Sequence, residues 1–307
     1  MIELRFEIEP ALAEEAVLLA LRGRAEEREF RQERDPLYEI ADPEQREAAF
    51  GALHARWFGR LDLGRPVTQA LADEERIGRA VGTALLRRAR RGLEEGVELL
   101  VKAGDRNGRV LRILLQPGSF LAPELLLAYL RMEFLHVTDM LDPRFGYVPS
   151  LPESAAETPT KLILDRYSVL WNASVAGRLE RRGHSAPGAR ARSWNEFQRA
   201  FPMLGEQATA DAFARFYAGE CPTHLELMAF ARNPREVLAG PFAAGRGEES
   251  GQGGRCALCR FPTYALLPHP DALPERLLAA IARDFPAWEP AQGVCAQCAD
   301  LYAARAS

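Results

Sequence analysis

Lysine is almost missing from this chain: of 39 basic residues only Lys102 and Lys161 are lysines, and the rest are arginines. The 43 acidic residues outweigh them, and the resulting net charge of −4 argues against a chain built as a nucleic-acid clamp. The arginines lie among glutamates and form no dominant basic block, so their excess reads as composition rather than as a phosphate site. Cysteine is scarce too. There are five, and Cys221 is the only one outside the C-terminal tail, which excludes a disulfide scaffold of the secreted type. Long hydrophobic runs are also lacking. The best, Phe120 to Leu130, falls short of the roughly 20 residues needed to span a bilayer. Met1 to Glu7 alternates charged and apolar residues, unlike a signal peptide, so the expectation is a cytoplasmic protein with no membrane segment. No Gly-x-Ser-x-Gly elbow, no Gly-x-x-x-x-Gly-Lys-Ser/Thr phosphate loop and no internal repeat is present.

What is present suits a soluble globular chain. The 307 residues are 47% hydrophobic and 27% charged, enough for two units at about 100–200 residues each. Residues 2–8 place an apolar side chain at every second position, as a half-buried strand does. A helical pattern follows over 11–34, and Asp42-Pro43 opens a second helix, with Asp42 as N-cap and Phe50, Leu53, His54, Trp57 and Phe58 on one side. Val97–Val101 and Val110–Leu115 read as a hairpin around Asn107-Gly108. Helices are expected over 122–141, 160–182, 194–200, 208–218 and 223–238, and then a glycine-rich tether over 241–254.

Beyond the tether stand Cys256-Ala-Leu-Cys259 and Cys295-Ala-Gln-Cys298. Each two-residue spacer lets both sulfurs of a pair converge on one ion, and Zn²⁺ accepts four thiolates without geometric strain. Cys256, Cys259, Cys295 and Cys298 are therefore the expected ligands of a structural zinc, and Pro274–Asp284 reads as a short helix between the pairs. Four sulfurs leave no open coordination position for catalysis. The tail resembles a zinc ribbon, a type of module that binds proteins or nucleic acids as often as it braces. A protein partner on this module is one expectation; nucleic acid is not indicated, because Arg255 and Arg260 are balanced by nearby acids.

The helix over 122–141 contains Met132-Glu133-Phe-Leu-His136, followed by Asp139 and the stop Asp142-Pro143. It resembles the active-site helix of the zincin metallopeptidases, whose motif is His-Glu-x-x-His. Two histidines four residues apart grip one zinc there, and the glutamate activates the bound water. A zincin-type domain followed by a four-cysteine module is similar in architecture to SprT-like proteins. The resemblance implies Glu133 as catalytic base and His136 as metal ligand. Met132 stands where the first histidine belongs, and a thioether is a poor ligand for Zn²⁺. On a helix Glu133, His136 and Asp139 form one ridge, so His136 and Asp139 are candidate ligands of a second divalent metal, with Asp165 as a further carboxylate. The ordinary alternative is a polar stripe whose acids pair with arginines such as Arg131, Arg144 or Arg166.

The expected fold class is α+β: a mostly helical, zincin-like core with a small antiparallel sheet, plus a small zinc-ribbon module. The expected domains are 1–95 (a strand and helices packed on the core), 96–240 (the core), 241–254 (the tether) and 255–307 (the module). Three functions follow as expectations. The core is a degenerate peptidase serving as scaffold or regulator, or it is an active metal-dependent hydrolase using Glu133 and His136, or the module is the working part and binds a partner.

Overall fold

The computed structural model describes residues 4–90, 94–101, 108–148, 158–235, 254–259, 262–263, 267, 273–286 and 288–305. The chain divides into two compact units, one of residues 1–147 and 175–189, the other of 148–174 and 190–307. The tether expected over 241–254 lies outside the described residues except for Gly254.

In the first unit, strand β1 (Arg5–Ile8) leads into helices α1 (Pro10–Leu21), α2 (Glu27–Arg34), α3 (Pro43–Arg60), α4 (Arg65–Ala72) and α5 (Glu75–Ala80). Strands β2 (Thr83–Arg88), β3 (Gly96–Val101) and β4 (Arg109–Leu115) follow, and then α6 (Pro123–Leu141). The sheet order is β1-β2-β4-β3. β3 and β4 pair antiparallel, with Val97 opposite Ile113, as the hairpin pattern predicts. The other two pairs are parallel, so the sheet is mixed within the α+β class rather than antiparallel throughout. The cause is topological. Parallel neighbours need a crossover, and the five helices between β1 and β2 supply it.

Strand β2 was not apparent from the sequence. Its buried face consists only of Ala84 and Leu86, while Arg87 and Arg88 end it, so no clean alternation marks it. β4 shows the period of two plainly, with Leu111, Ile113 and Leu115 all buried. One hydrophobic cluster runs from Leu12 of α1 through Trp57 of α3 and the sheet to Phe134 and Val137 of α6. Residues on both sides of position 95 thus share a single core. α3 starts as its sequence dictates: the Asp42 side chain accepts from the Gln45 N–H at 2.8 Å, and Pro43 takes the first turn.

The second unit holds the first part of α7 (Thr158–Arg181), then α8 (Ala189–Ala200), α9 (Glu206–Ala218) and α10 (His224–Arg232). Their contacts are aromatic: Phe197, Phe201, Phe213, Phe216 and Phe230 pack mainly edge to face, with Phe201 and Phe230 centroids 5.4 Å apart. The tail adds the ribbon β5 (Gly254–Arg255) and β6 (Pro262–Thr263), with helices α11 (Glu275–Asp284) and α12 (Ala296–Arg305). No helix among the described residues is long and apolar enough to cross a membrane.

Trp57 is fully buried, with its ring edge-on to Phe30 at 5.5 Å. Trp57→Ala is expected to lower unfolding free energy by about 3–5 kcal/mol, whereas Asp42→Ala, which removes only a cap, should cost about 1 kcal/mol. Urea unfolding of the two variants checks both magnitudes.

Candidate metal centre and the Glu-x-x-His helix

The four tail cysteines converge. Their sulfurs all lie within 4.8 Å of one another, the one such group of potential metal ligands among the described residues. Cys259 and Cys295 Sγ are 3.9 Å apart, too far for a disulfide of about 2.05 Å. The separation suits a tetrahedron, because metal–sulfur bonds of about 2.3 Å set sulfurs about 3.8 Å apart. The backbone makes the same case. The Cys295 N–H donates to Cys256 Sγ at 3.3 Å, and the Cys298 N–H donates to Cys295 Sγ at 3.4 Å. Such donors stabilise thiolates, and the second pair also sits at the start of α12, where the helix dipole favours negative charge.

Four thiols this close cannot all ionise alone. Hydrogen bonds from Cys259, Cys295 and Cys298 hold the Cys256 thiol well down, while those shared with Cys256 and Cys259 push the Cys295 and Cys298 thiols up. A cation at their centre removes that conflict. Around the sulfurs the module has a small core of its own, with Leu277, Ile281, Trp288, Val294 and Tyr302 packed beside Cys256 and Cys295. Gly293, at φ +79°, turns the chain toward the second pair, and its carbonyl accepts from Trp288 Nε1 at 3.4 Å. The Tyr302 hydroxyl donates to Asp284 at 3.0 Å, joining α12 to α11. The sequence pointed to α11 but not to α12, whose ten residues carry no apolar stripe beyond Leu301 and Tyr302.

Helix α6 carries the other candidate residues, and the structure gives each its own partner. Asp139 is 3% exposed and lies in a two-pronged ion pair with Arg178 of α7, with Nη1 to Oδ1 at 2.7 Å. Arg131 pairs with Asp73 at 2.7 Å. Beside them, buried Glu74 accepts from the Thr138 hydroxyl at 2.8 Å and from Arg182 at 2.5 Å. Glu133 accepts the N–H of Val97 on the edge strand β3, and burial pushes its carboxyl above the usual range. Tyr129, one turn earlier, is raised by burial and by the nearby Glu133 and Glu95 carboxylates. Glu95 in turn accepts from the Gln116 N–H at 2.7 Å and the Ser119 hydroxyl at 2.5 Å.

Glu133, His136 and Asp139 therefore share a helix without forming a three-ligand group. Asp165 belongs to the second unit. The arginine alternative was right in kind for Asp139, but its partner is Arg178, not the nearer arginines named from the sequence. Arg178 in the last turn of α7 and Arg182, one residue past its end and bonded through its N–H to the Arg178 carbonyl, were the available signal, since residues four apart can serve two adjacent acids.

The other histidines have separate surroundings. His54 is buried between Phe30 and Phe50, where desolvation lowers its pKa. His224 Nδ1 lies 2.8 Å from the Tyr167 hydroxyl, and His184 Nδ1 lies 3.9 Å from Asp73. His269 lies outside the described residues. Comparison with protein-family models, curated proteins and solved structures finds no match to this chain.

Two outcomes are expected. Asp139→Ala removes the carboxylate that the partly buried Arg178 guanidinium faces and should cost about 3–5 kcal/mol, much of it recovered when Arg178→Met is added, as a double-mutant cycle in urea would read. Glu133 holds its proton to higher pH in the native state than in the unfolded chain, where glutamate ionises near pH 4.3. The native state then binds more protons across that window, so this group lowers stability as pH rises through it. Glu133→Gln should therefore be more stable than the parent at neutral pH, with the gain vanishing below the ordinary glutamate pKa.

Proposed function

We propose that this chain is a zinc-binding protein in which the four-cysteine module carries a structural ion and the first unit is a zincin-like frame without peptidase activity, serving as a scaffold or regulator. The observation that carries the reading is the convergence of Cys256, Cys259, Cys295 and Cys298 within 4.8 Å. A hard oxygen-seeking cation is a poor match for four thiolates, whereas Zn²⁺ suits them, and no position remains for substrate or water. Bound there, the ion would neutralise the thiolates and tie β5 to the start of α12. A tail of this size gains most of its folding energy from such an ion.

Three features support a silent core. Met132 occupies the place of a first imidazole ligand. Both oxygens of Asp139 are taken by Arg178. Glu133 is engaged with the edge of the sheet. The β3–β4 hairpin ahead of the Glu-x-x-His helix supports a zincin-like frame. One observation favours a second reading, a metal-dependent hydrolase: burial raises the carboxyl of the half-buried Glu133 above the usual range, a property of groups that accept and release protons in catalysis.

Elemental analysis of the purified protein separates these readings. One zinc per chain is expected, lost on Cys256→Ser, and Met132→His should add a second that chelators remove readily. Two zincs in the parent, or hydrolysis that Glu133→Gln abolishes, would establish the hydrolase instead. A parent with no zinc overturns the reading of the module.

A further inference from the structure

Within the second unit, α7, α8 and α12 enclose a cleft of about 480 Å³ that plays no part in the metal centre. Its most unusual wall residue is Arg166. The side chain is 4% exposed, yet its guanidinium is poorly matched. Nε donates to the Ala200 carbonyl at 3.2 Å, and among the described residues Nη2 has only the thioether of Met203 at 3.8 Å, a weak acceptor. Nη1 is buried with no hydrogen-bond partner among the described residues.

A guanidinium drawn out of water ordinarily faces a carboxylate, as the partly buried Arg178 does in the first unit. Here the carboxylate whose charge acts on it is committed elsewhere. Asp300 lines the same cleft but is gripped by Arg235, at 3.0 and 2.9 Å. Burial outweighs the attraction of the nearby Asp300 carboxylate and pulls the Arg166 pKa below its usual value. The remaining wall is largely apolar, including Leu162, Val169, Pro202 and Leu301, while Arg199 stands exposed at the rim. Asp165 and Glu196 are also exposed there, where water screens them.

We propose that this cleft binds a small amphipathic carboxylate, whose oxygens displace the Met203 thioether and accept from Nη1 and Nη2 of Arg166. The planar fork of arginine is built for that two-point contact. The alkyl portion lies against Leu162 and Val169, with the unbranched Met203 side chain swinging aside to cover it. The result is the same pairing that Asp139 supplies to Arg178, with the carboxylate brought by a ligand instead of the chain.

The probes are 4-methylpentanoate, L-leucine and isopentylamine, which share an alkyl group and differ in charge. Each is titrated into the full-length, metal-loaded protein by calorimetry and by its effect on the melting temperature. Saturable binding of at least one carboxylate, with Kd of about 1 mM or tighter, and none by the amine is expected. Tighter binding of leucine than of 4-methylpentanoate also supports the proposal, with Asp165 or Glu196 taking the ammonium. Arg166→Met should stay folded, since it removes an unpaired charge, and should weaken binding at least about tenfold. Should that variant not fold, Val169→Trp, from a half-buried position, fills the cleft and must weaken binding as much. No binding by either carboxylate, equal binding by the amine, or undiminished binding in the folded variant overturns the proposal.

Discussion

Helix α6 packs against the edge strand β3 and the helices α4 and α5, and the constraint on the first unit is that the carboxylates turned into that packing, Asp139, Glu74, Glu95 and Glu133, cannot rely on water alone. Removing an ionised group from water costs several kcal/mol unless a partner replaces the lost hydration. Each of these four acids meets that demand differently. Asp139 takes a guanidinium at two points, Glu74 takes a hydroxyl and a guanidinium, Glu95 takes an amide and a hydroxyl, and Glu133 takes an edge-strand amide. Glu133 has the weakest compensation, with no cation against it among the described residues, and burial raises its pKa.

The same rule explains the tail by a different route. Four sulfurs are brought together by two tight turns and a helix start, and their mutual repulsion is unresolved within the protein itself. The core unit balances charge with side chains from its own sequence, while the module leaves a balance to be filled from outside. Apolar burial is modest there, with Trp288 and Tyr302 as its largest buried groups, so the ion and the small core have to act together.

How much of this was legible in the sequence depends on distance along the chain. The Asp42 cap, the hairpin strands and the paired cysteines are local patterns, complete within a few residues, and each is found where the pattern puts it. The Glu-x-x-His helix was equally visible as a helix. What its residues do was not, because their partners are remote: Arg178 is 39 residues from Asp139, and Arg182 is 108 from Glu74. A helix face can show that acids are aligned, but only the fold decides whether they face a metal, an amide or a guanidinium. Strand β2 escaped for a related reason, since its pairing with β1 depends on a crossover of five helices and its pairing with β4 on the intervening β3 taking the sheet edge, rather than on its own six residues.

The scarcity of lysine has a chemical side as well as an electrostatic one. Arginine keeps its charge at every pH a cell reaches, so the pairs Arg178–Asp139, Arg182–Glu74 and Arg131–Asp73 cannot be undone by titrating the base. Guanidinium groups are also poor nucleophiles beside amines. Acylation, isopeptide attachment and amine-directed cross-linking therefore find only two lysine side chains on a chain of 307 residues, one of them Lys161, exposed on α7. A surface dense in positive charge is, to that chemistry, nearly blank.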